Sequence, residues 1–188
     1  MNKKQSLFGK TLDELKKICE NLSLPSFTSK QIADWLYKKE ISSIDEMTNL
    51  SLNAREKLKE NYDFGLTPYV DFMLSKDGTK KYLYEYEDNS FVEAVMIPDK
   101  ERYTLCVSTQ VGCKMNCAFC MTGKQGFSGN LSAAEILNQI FSIPDSDKLT
   151  NIVYMGEGEP MDNIDEVLRS LTVLTADYAC GWSPKRVT

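Results

Sequence analysis

Cys113, Cys117 and Cys120 fall within eight residues, in the stretch GCKMNCAFCMTGKQGF, of a chain that contains no histidine. The spacing Cys113-x3-Cys117-x2-Cys120 brings three thiolates onto one loop, so the fold has to be built around a loop that carries them. A cubane iron–sulfur cluster has four iron corners and takes thiolates as its usual protein ligands. Three cysteines would leave one iron without a protein ligand, open to a chelating small molecule. A structural zinc ion would need a fourth ligand, and Cys106, Cys19 or Cys180 could supply it in three dimensions. Zinc sites usually pair two CxxC-like knuckles, whereas only Cys117 and Cys120 form one here. A redox dithiol would leave the third cysteine superfluous, and inert buried thiols would leave the spacing to chance. The spacing favours the cluster and leaves the other readings open.

The sequence around this loop changes period twice. TLDELKKICENL opens with a capping-box pattern, Thr11 to Glu14, and places Leu15, Ile18 and Leu22 on one helical face. A second such pattern, Thr28 to Gln31, predicts a helix with Ile32, Trp35 and Leu36 inward, and SLNAREKLKENY predicts a third from Ser51. From Leu66 the period becomes two. VDFMLS, KKYLYEYED, FVEAVMIP and RYTLCVSTQ read as strands, with Asp77-Gly78 as a hairpin turn. Tyr82, Tyr84 and Tyr86 share one face of such a strand, and packing explains them better than stacking on RNA. After the cysteines, a helix capped by Ser132, a strand TNIVYMG, a helix capped by Asn163 and a strand start KRVT alternate. Strand, helix, strand and helix in succession imply a parallel sheet. The sequence stops inside that last strand, so the chain is expected to be part of a longer protein.

The expected fold class is therefore α/β. We divide it into a helical accessory or docking module at residues 1–64, a β-rich connecting segment at 65–98, and an incomplete parallel-sheet core, of the barrel or doubly wound kind, at 99–188. Hydrophobic residues make up 42% of the chain, no apolar run approaches a membrane span of roughly 18 residues, and the N-terminus MNKKQSLFGK lacks an apolar signal core. A cytoplasmic protein is expected, and in a reducing cytosol clustered cysteines more often bind metal or do chemistry than form disulfides. A net charge of −5 argues against a simple basic nucleic-acid-binding domain. It does not exclude RNA as a substrate, because charge can be segregated.

CxxxCxxC with an aromatic before its last cysteine resembles the signature of the radical S-adenosylmethionine enzymes, in which the open iron chelates S-adenosylmethionine and an electron from the cluster cleaves it to a radical. A longer set of motifs, TLCVSTQVGCKMNCAFCMTGKQGFSGNLSAAEILNQI, NIVYMGEGEPMDN and SPKRVT, resembles the RlmN/Cfr family of RNA methyltransferases, from about Phe91 to Thr188. The motifs look closer to the C2-methylating RlmN branch than to the C8-methylating one. The resemblance implies that Cys113, Cys117 and Cys120 hold a 4Fe-4S cluster and that Phe119 packs beside bound S-adenosylmethionine. It implies that Gly158 and Glu159 of GEGEP meet the amino end of that cofactor. Glu93 would be the proton acceptor and Cys106 the thiol of a transient disulfide. The implied reaction forms 2-methyladenosine in 23S ribosomal RNA, and in transfer RNA as a further candidate, through a methyl-cysteine intermediate, with an electron donor such as flavodoxin. The carrier cysteine of that intermediate would lie beyond Thr188, and Cys180 does not match it, so these residues alone are expected to be inactive. C8 methylation, or a zinc-stabilised binding domain without redox chemistry, stays as the alternative.

Two residues carry extra ambiguity. Glu93, in an apolar strand, suits a general base because desolvation raises a carboxyl pKa, yet it equally fits the solvent face of an alternating strand. Glu157 stands where the family usually has methionine, and the sequence does not say whether it faces inward.

Overall fold

Thr11 caps the first helix as its pattern requires: its hydroxyl accepts from the Glu14 amide, and the Glu14 carboxylate reaches back to the Thr11 amide at 2.8 Å. The computed structural model describes residues 4–39, 41–86 and 89–188. It falls into two compact units, one formed by Met1–Leu66 with Arg169–Trp182 and the other by Thr67–Leu168 with Ser183–Thr188.

In the first unit, β1 (Gln5–Ser6) pairs in parallel with β2 (Tyr62–Asp63), and α1 (Leu12–Asn21), α2 (Thr28–Lys38) and α3 (Leu52–Asn61) lie between them in sequence. Its core gathers Leu7, Phe8, Leu15, Ile32, Leu36, Met47 and Leu58, all buried. Ser51 caps α3 as expected. The second capping box does not form. α2 already includes Thr28, which is buried, Phe27 stands at the cap, and no side chain closes the turn. Tyr37 points inward beside Ile32 and Leu36, while Trp35 is half-buried and donates its indole N–H to Asn49 at 2.5 Å.

The second unit is built on a five-stranded sheet in the order β3-β4-β5-β6-β9. β3 (Asp71–Leu74), β4 (Lys80–Tyr86), β5 (Ser90–Asp99) and β6 (Arg102–Cys106) are antiparallel neighbours. β9 (Asn151–Val153) joins β6 in parallel, and Val187 bridges Ile152 in parallel beyond it. The antiparallel segment and the start of the parallel sheet are thus one continuous sheet. Tyr82 and Tyr84 are buried, and the Tyr84 and Tyr86 hydroxyls bond Ser142 and the Glu135 carbonyl around α5 (Ala133–Phe141). The tyrosine face is core, as the sequence favoured. Between β6 and β9, β7 (Gln110–Gly112) and β8 (Phe127–Asn130) make a two-stranded hairpin, and the cysteine loop and α4 (Met121–Lys124) sit at its tip.

The helix after β9, α6 (Ile164–Thr175), follows a 3₁₀ turn, Pro160–Asn163. The Asn163 amide donates to the carbonyls of Thr109 and Leu131, both at 2.8 Å, and the Glu166 carboxylate accepts from the Ala133 amide. Both side chains tie distant segments together.

Candidate functional site

Past Cys106 the chain leaves the sheet but stays fully bonded. Val107 donates to Val153 at 2.9 Å, and Thr109 donates to Glu157 at 2.8 Å. Ser108 is wholly buried and pairs with the side chain of Gln139, itself wholly buried. The Ser108 amide donates to Gln139 Oε1 at 2.8 Å, and Gln139 Nε2 donates back to the Ser108 carbonyl at 2.9 Å. One side-chain amide thus does the work of a neighbouring strand where no strand is present.

Gln110, also wholly buried, repeats the device for the loop after β9. Its Oε1 accepts from the Glu159 amide at 2.9 Å, and its Nε2 donates to Asn130 and Asp162, each at 2.8 Å. The loop Gly156-Glu157-Gly158-Glu159 therefore lies against residues 107–110. Gly158 has φ +98, and a Cβ there would stand 2.6 Å from the Gln110 Cβ, so only glycine fits without displacement. Glu159 caps the following turn, accepting from the Met161 amide at 3.1 Å.

Lys114, inside the cysteine loop, pairs with Asp162 at 2.9 Å and lies over the Phe127 ring at 4.2 Å. Lys114 and Gln110 together hold the Asp162 carboxyl below its ordinary value. This bond ties the loop carrying the cysteines to the turn that follows GEGEP, and so brings the two sequence-predicted motifs side by side.

The cysteine loop is shaped by its backbone. Cys113 donates to the Gly126 carbonyl at 2.9 Å and Cys120 to the Cys117 carbonyl at 3.0 Å. Asn116 turns in the left-handed region at φ 46. All three cysteines are free, and Cys117 is exposed. Amides of Gly123 and Thr122, at the start of α4, lower the Cys120 thiol pKa and so favour its thiolate. Phe119 stands 92% exposed beside them. Among the described residues, no three Cys, Asp or Glu side chains converge so as to hold a metal ion. Of the other candidate zinc ligands, burial pushes the Cys19 thiol up to about 11 and the Cys180 thiol up to about 12, and also raises Cys106. Three free thiols on one loop, with an exposed aromatic beside them, fit a thiolate-bound cluster with one open corner.

The other predicted residues lie close by. Glu93, on β5, turns its carboxylate to Lys81 at 2.8 Å and is 42% exposed at the side chain. It is thus an ion-paired acid at the sheet surface. Cys106 ends β6, and burial raises its thiol pKa against the opposing effect of the Met155 amide. Glu157 faces inward: its carboxylate accepts from the Glu93 amide at 3.0 Å, and burial raises its pKa. Sequence reasoning missed Ser108, Gln110, Lys114, Gln139 and Asp162. All five lie within the quoted motifs, but nothing in their spacing marks them or their partners.

Residues 5–63 match the family described as Ribosomal RNA large subunit methyltransferase N-terminal domain, and residues 107–184 match the Radical SAM superfamily. The probable dual-specificity RNA methyltransferase RlmN of Bacteroides fragilis is 63% identical over 185 residues, covering 98% of this chain and 54% of that protein. The corresponding protein of Bacteroides thetaiotaomicron is 60% identical over 188 residues, covering 100% of this chain and 54% of the relative. The dual-specificity RNA methyltransferase RlmN of Syntrophus aciditrophicus is 40% identical over 182 residues, covering 95% and 52%. A crystal structure of a radical SAM methyltransferase from Sphaerobacter thermophilus superposes with a TM-score of 0.88 at 31% identity, covering 97% of this chain and 55% of that one. The chain spans about half the length of the curated relatives it matches.

Proposed function

The chain belongs to the RlmN family of radical S-adenosylmethionine RNA methyltransferases, and from that premise we propose that it carries the cluster-binding and cofactor-binding half of an enzyme that methylates adenosine C2 in 23S ribosomal RNA and in transfer RNA. The observation that carries the reading is the pairing of three free cysteines on the β7–α4 loop with the GEGEP loop through Lys114 and Asp162. Cys113, Cys117 and Cys120 would hold a 4Fe-4S cluster. Such a cluster, when bound, supplies an open iron to chelate S-adenosylmethionine and the electron for its reductive cleavage.

The chain's own residues then bind and orient. Gly158 allows the backbone of the GEGEP loop to approach closely, and a carboxylate at Glu159 suits an ammonium group. Phe119, apolar and exposed, would cover one side of the cofactor and exclude water there. Glu93 would accept the ring proton, with Lys81 holding its charge until the substrate arrives. Cys106 would close the transient disulfide with a carrier cysteine outside these residues, so the 188 residues alone would not turn over. Residues 1–64 would dock the folded RNA, a flavodoxin-like donor would supply electrons, and the setting would be the cytoplasm. Consistent with that setting, no helix among the described residues is long and apolar enough to cross a membrane.

The test is iron, acid-labile sulfide and zinc per chain in protein purified without oxygen. About four irons and four sulfides are expected, with both lost in Cys117→Ala. One zinc without sulfide, or an unchanged iron and sulfide content in that variant, would overturn the assignment.

A further inference from the structure

We propose that Glu157 is a positioning residue that couples the strand carrying Glu93 to the strand carrying the cysteine loop. This rests on the roles given above to Glu93 and to the three cysteines, and extends them to a residue without an assigned role.

The geometry is unusual for a surface-loop carboxylate. Glu157 grips the Glu93 peptide group from both sides. Its carboxylate accepts the Glu93 amide at 3.0 Å, and its own amide donates at 2.9 Å to the Ser108 hydroxyl, which donates at 2.6 Å to the Glu93 carbonyl. The Glu157 carbonyl accepts from Thr109 at 2.8 Å and from Gln110, the first residue of β7, at 3.3 Å. One residue thus bonds to β5 through its side chain, and to the segment after β6 and the first position of β7 through its backbone.

Stability alone does not call for a carboxylate here. Burial raises its pKa and the nearby Glu93 charge adds to the effect, so the ionised form is disfavoured by its surroundings. A methionine of similar length would avoid both costs. What a carboxylate supplies, and methionine does not, is a strong acceptor that holds the Glu93 amide to a loop whose backbone is itself bonded to the segment leading to Cys113. The Glu93 side chain is meanwhile free to pair with Lys81. The division is clear: Glu157 fixes the Glu93 backbone, and Lys81 holds the Glu93 charge.

The experiment compares the 188-residue chain with Glu157→Met and Glu157→Gln. Amide hydrogen exchange is read at Glu93, with the core amides of Ile32 and Leu58 in the other unit as controls. In Glu157→Met, exchange at Glu93 should rise by at least about tenfold, the effect of losing a charge-assisted bond. The controls and the melting temperature should stay near wild type. Glu157→Gln, whose amide oxygen still accepts, should restore most of the protection at Glu93. After anaerobic reconstitution, the EPR spectrum of the reduced protein should shift in Glu157→Met and move back towards wild type in Glu157→Gln. Wild-type exchange at Glu93 in Glu157→Met overturns the coupling, whatever the metal content. Faster exchange with an unchanged EPR spectrum overturns the positioning role and leaves a purely structural one. If wild-type protein holds no iron and sulfide, the function proposed above fails, and the positioning role falls with it; the exchange data still decide whether the two strands are coupled.

Discussion

Gln139→Leu should be among the most damaging single changes that leave the site residues untouched. The side chain is wholly buried, and so is its partner Ser108. Leucine fills nearly the same space but removes the bonds at 2.8 and 2.9 Å that satisfy the Ser108 amide and carbonyl. Each buried group left unpaired costs about 1–3 kcal/mol, so the two together cost about 2–6 kcal/mol. Against a total of roughly 5–15 kcal/mol this is a large share, and it converts to a fall of about 4–24 °C in melting temperature for a chain of this size. Thermal unfolding followed by circular dichroism reads the loss, and amide exchange at Ser108 locates it.

Gln139→Glu sharpens the test. Its carboxylate keeps the acceptor for the Ser108 amide but sets a second oxygen against the Ser108 carbonyl. The folded state then favours the protonated acid, which can donate, so the folded pKa rises above the unfolded value near 4.3. The stabilisation is full below that unfolded value and is lost as pH rises through the folded one. The variant should therefore approach wild type at pH 4 and fall behind it at pH 8. A Gln139→Leu protein within about 0.5 kcal/mol of wild type, or a Gln139→Glu protein whose deficit is flat with pH, would refute the reasoning.

Two further outcomes follow from the same geometry. Gly158→Ala forces a Cβ to within 2.6 Å of Gln110 at φ +98; it should cost about 1–3 kcal/mol and release the Glu159 amide from Gln110, which urea unfolding and exchange at Glu159 would record. Asp145 is held below its ordinary value of 3.8 by the Lys148 and Lys80 side chains, so its contribution is complete above pH 4 and lost as pH falls through the lowered folded value; Asp145→Asn should be less stable than wild type at pH 7, with the gap closing at pH 3 in urea titrations.

Much of this fold was legible because its signals are local. Thr11, Ser51 and Ser132 cap helices where the sequence puts them, and the alternating segments became β3 to β6. The failure at Thr28, and the distant partners of Asn163, mark the limit of such signals. A capping pattern describes what a side chain can do for its own turn, and says nothing of a better partner elsewhere. Asn163 serves carbonyls 54 and 32 residues away. Gln110 and Gln139 were invisible for the same reason: a buried amide has no periodic signature, and its partners are set by tertiary structure. Glu157 could not be oriented from sequence because the alternation of a strand does not extend into a glycine-flanked loop.

The contrast between the loop and its support accounts for one feature that the cysteine spacing alone left puzzling. The thiols carry the motif, yet they do not converge to hold an ion. What is organised is the frame: Gln139 on Ser108, Gln110 on Glu159 and Asp162, Glu157 on Glu93, and Lys114 on Asp162. The Gln139–Ser108 bond is buried and most of the others are part-buried, so breaking them is costly, and the frame is set before any group binds. Cys117 and Phe119 are left in solvent. A rigid frame with free donors lets a bound group draw each thiolate to its own position without disturbing the support beneath, as metal binding does where the site is assembled by the metal itself.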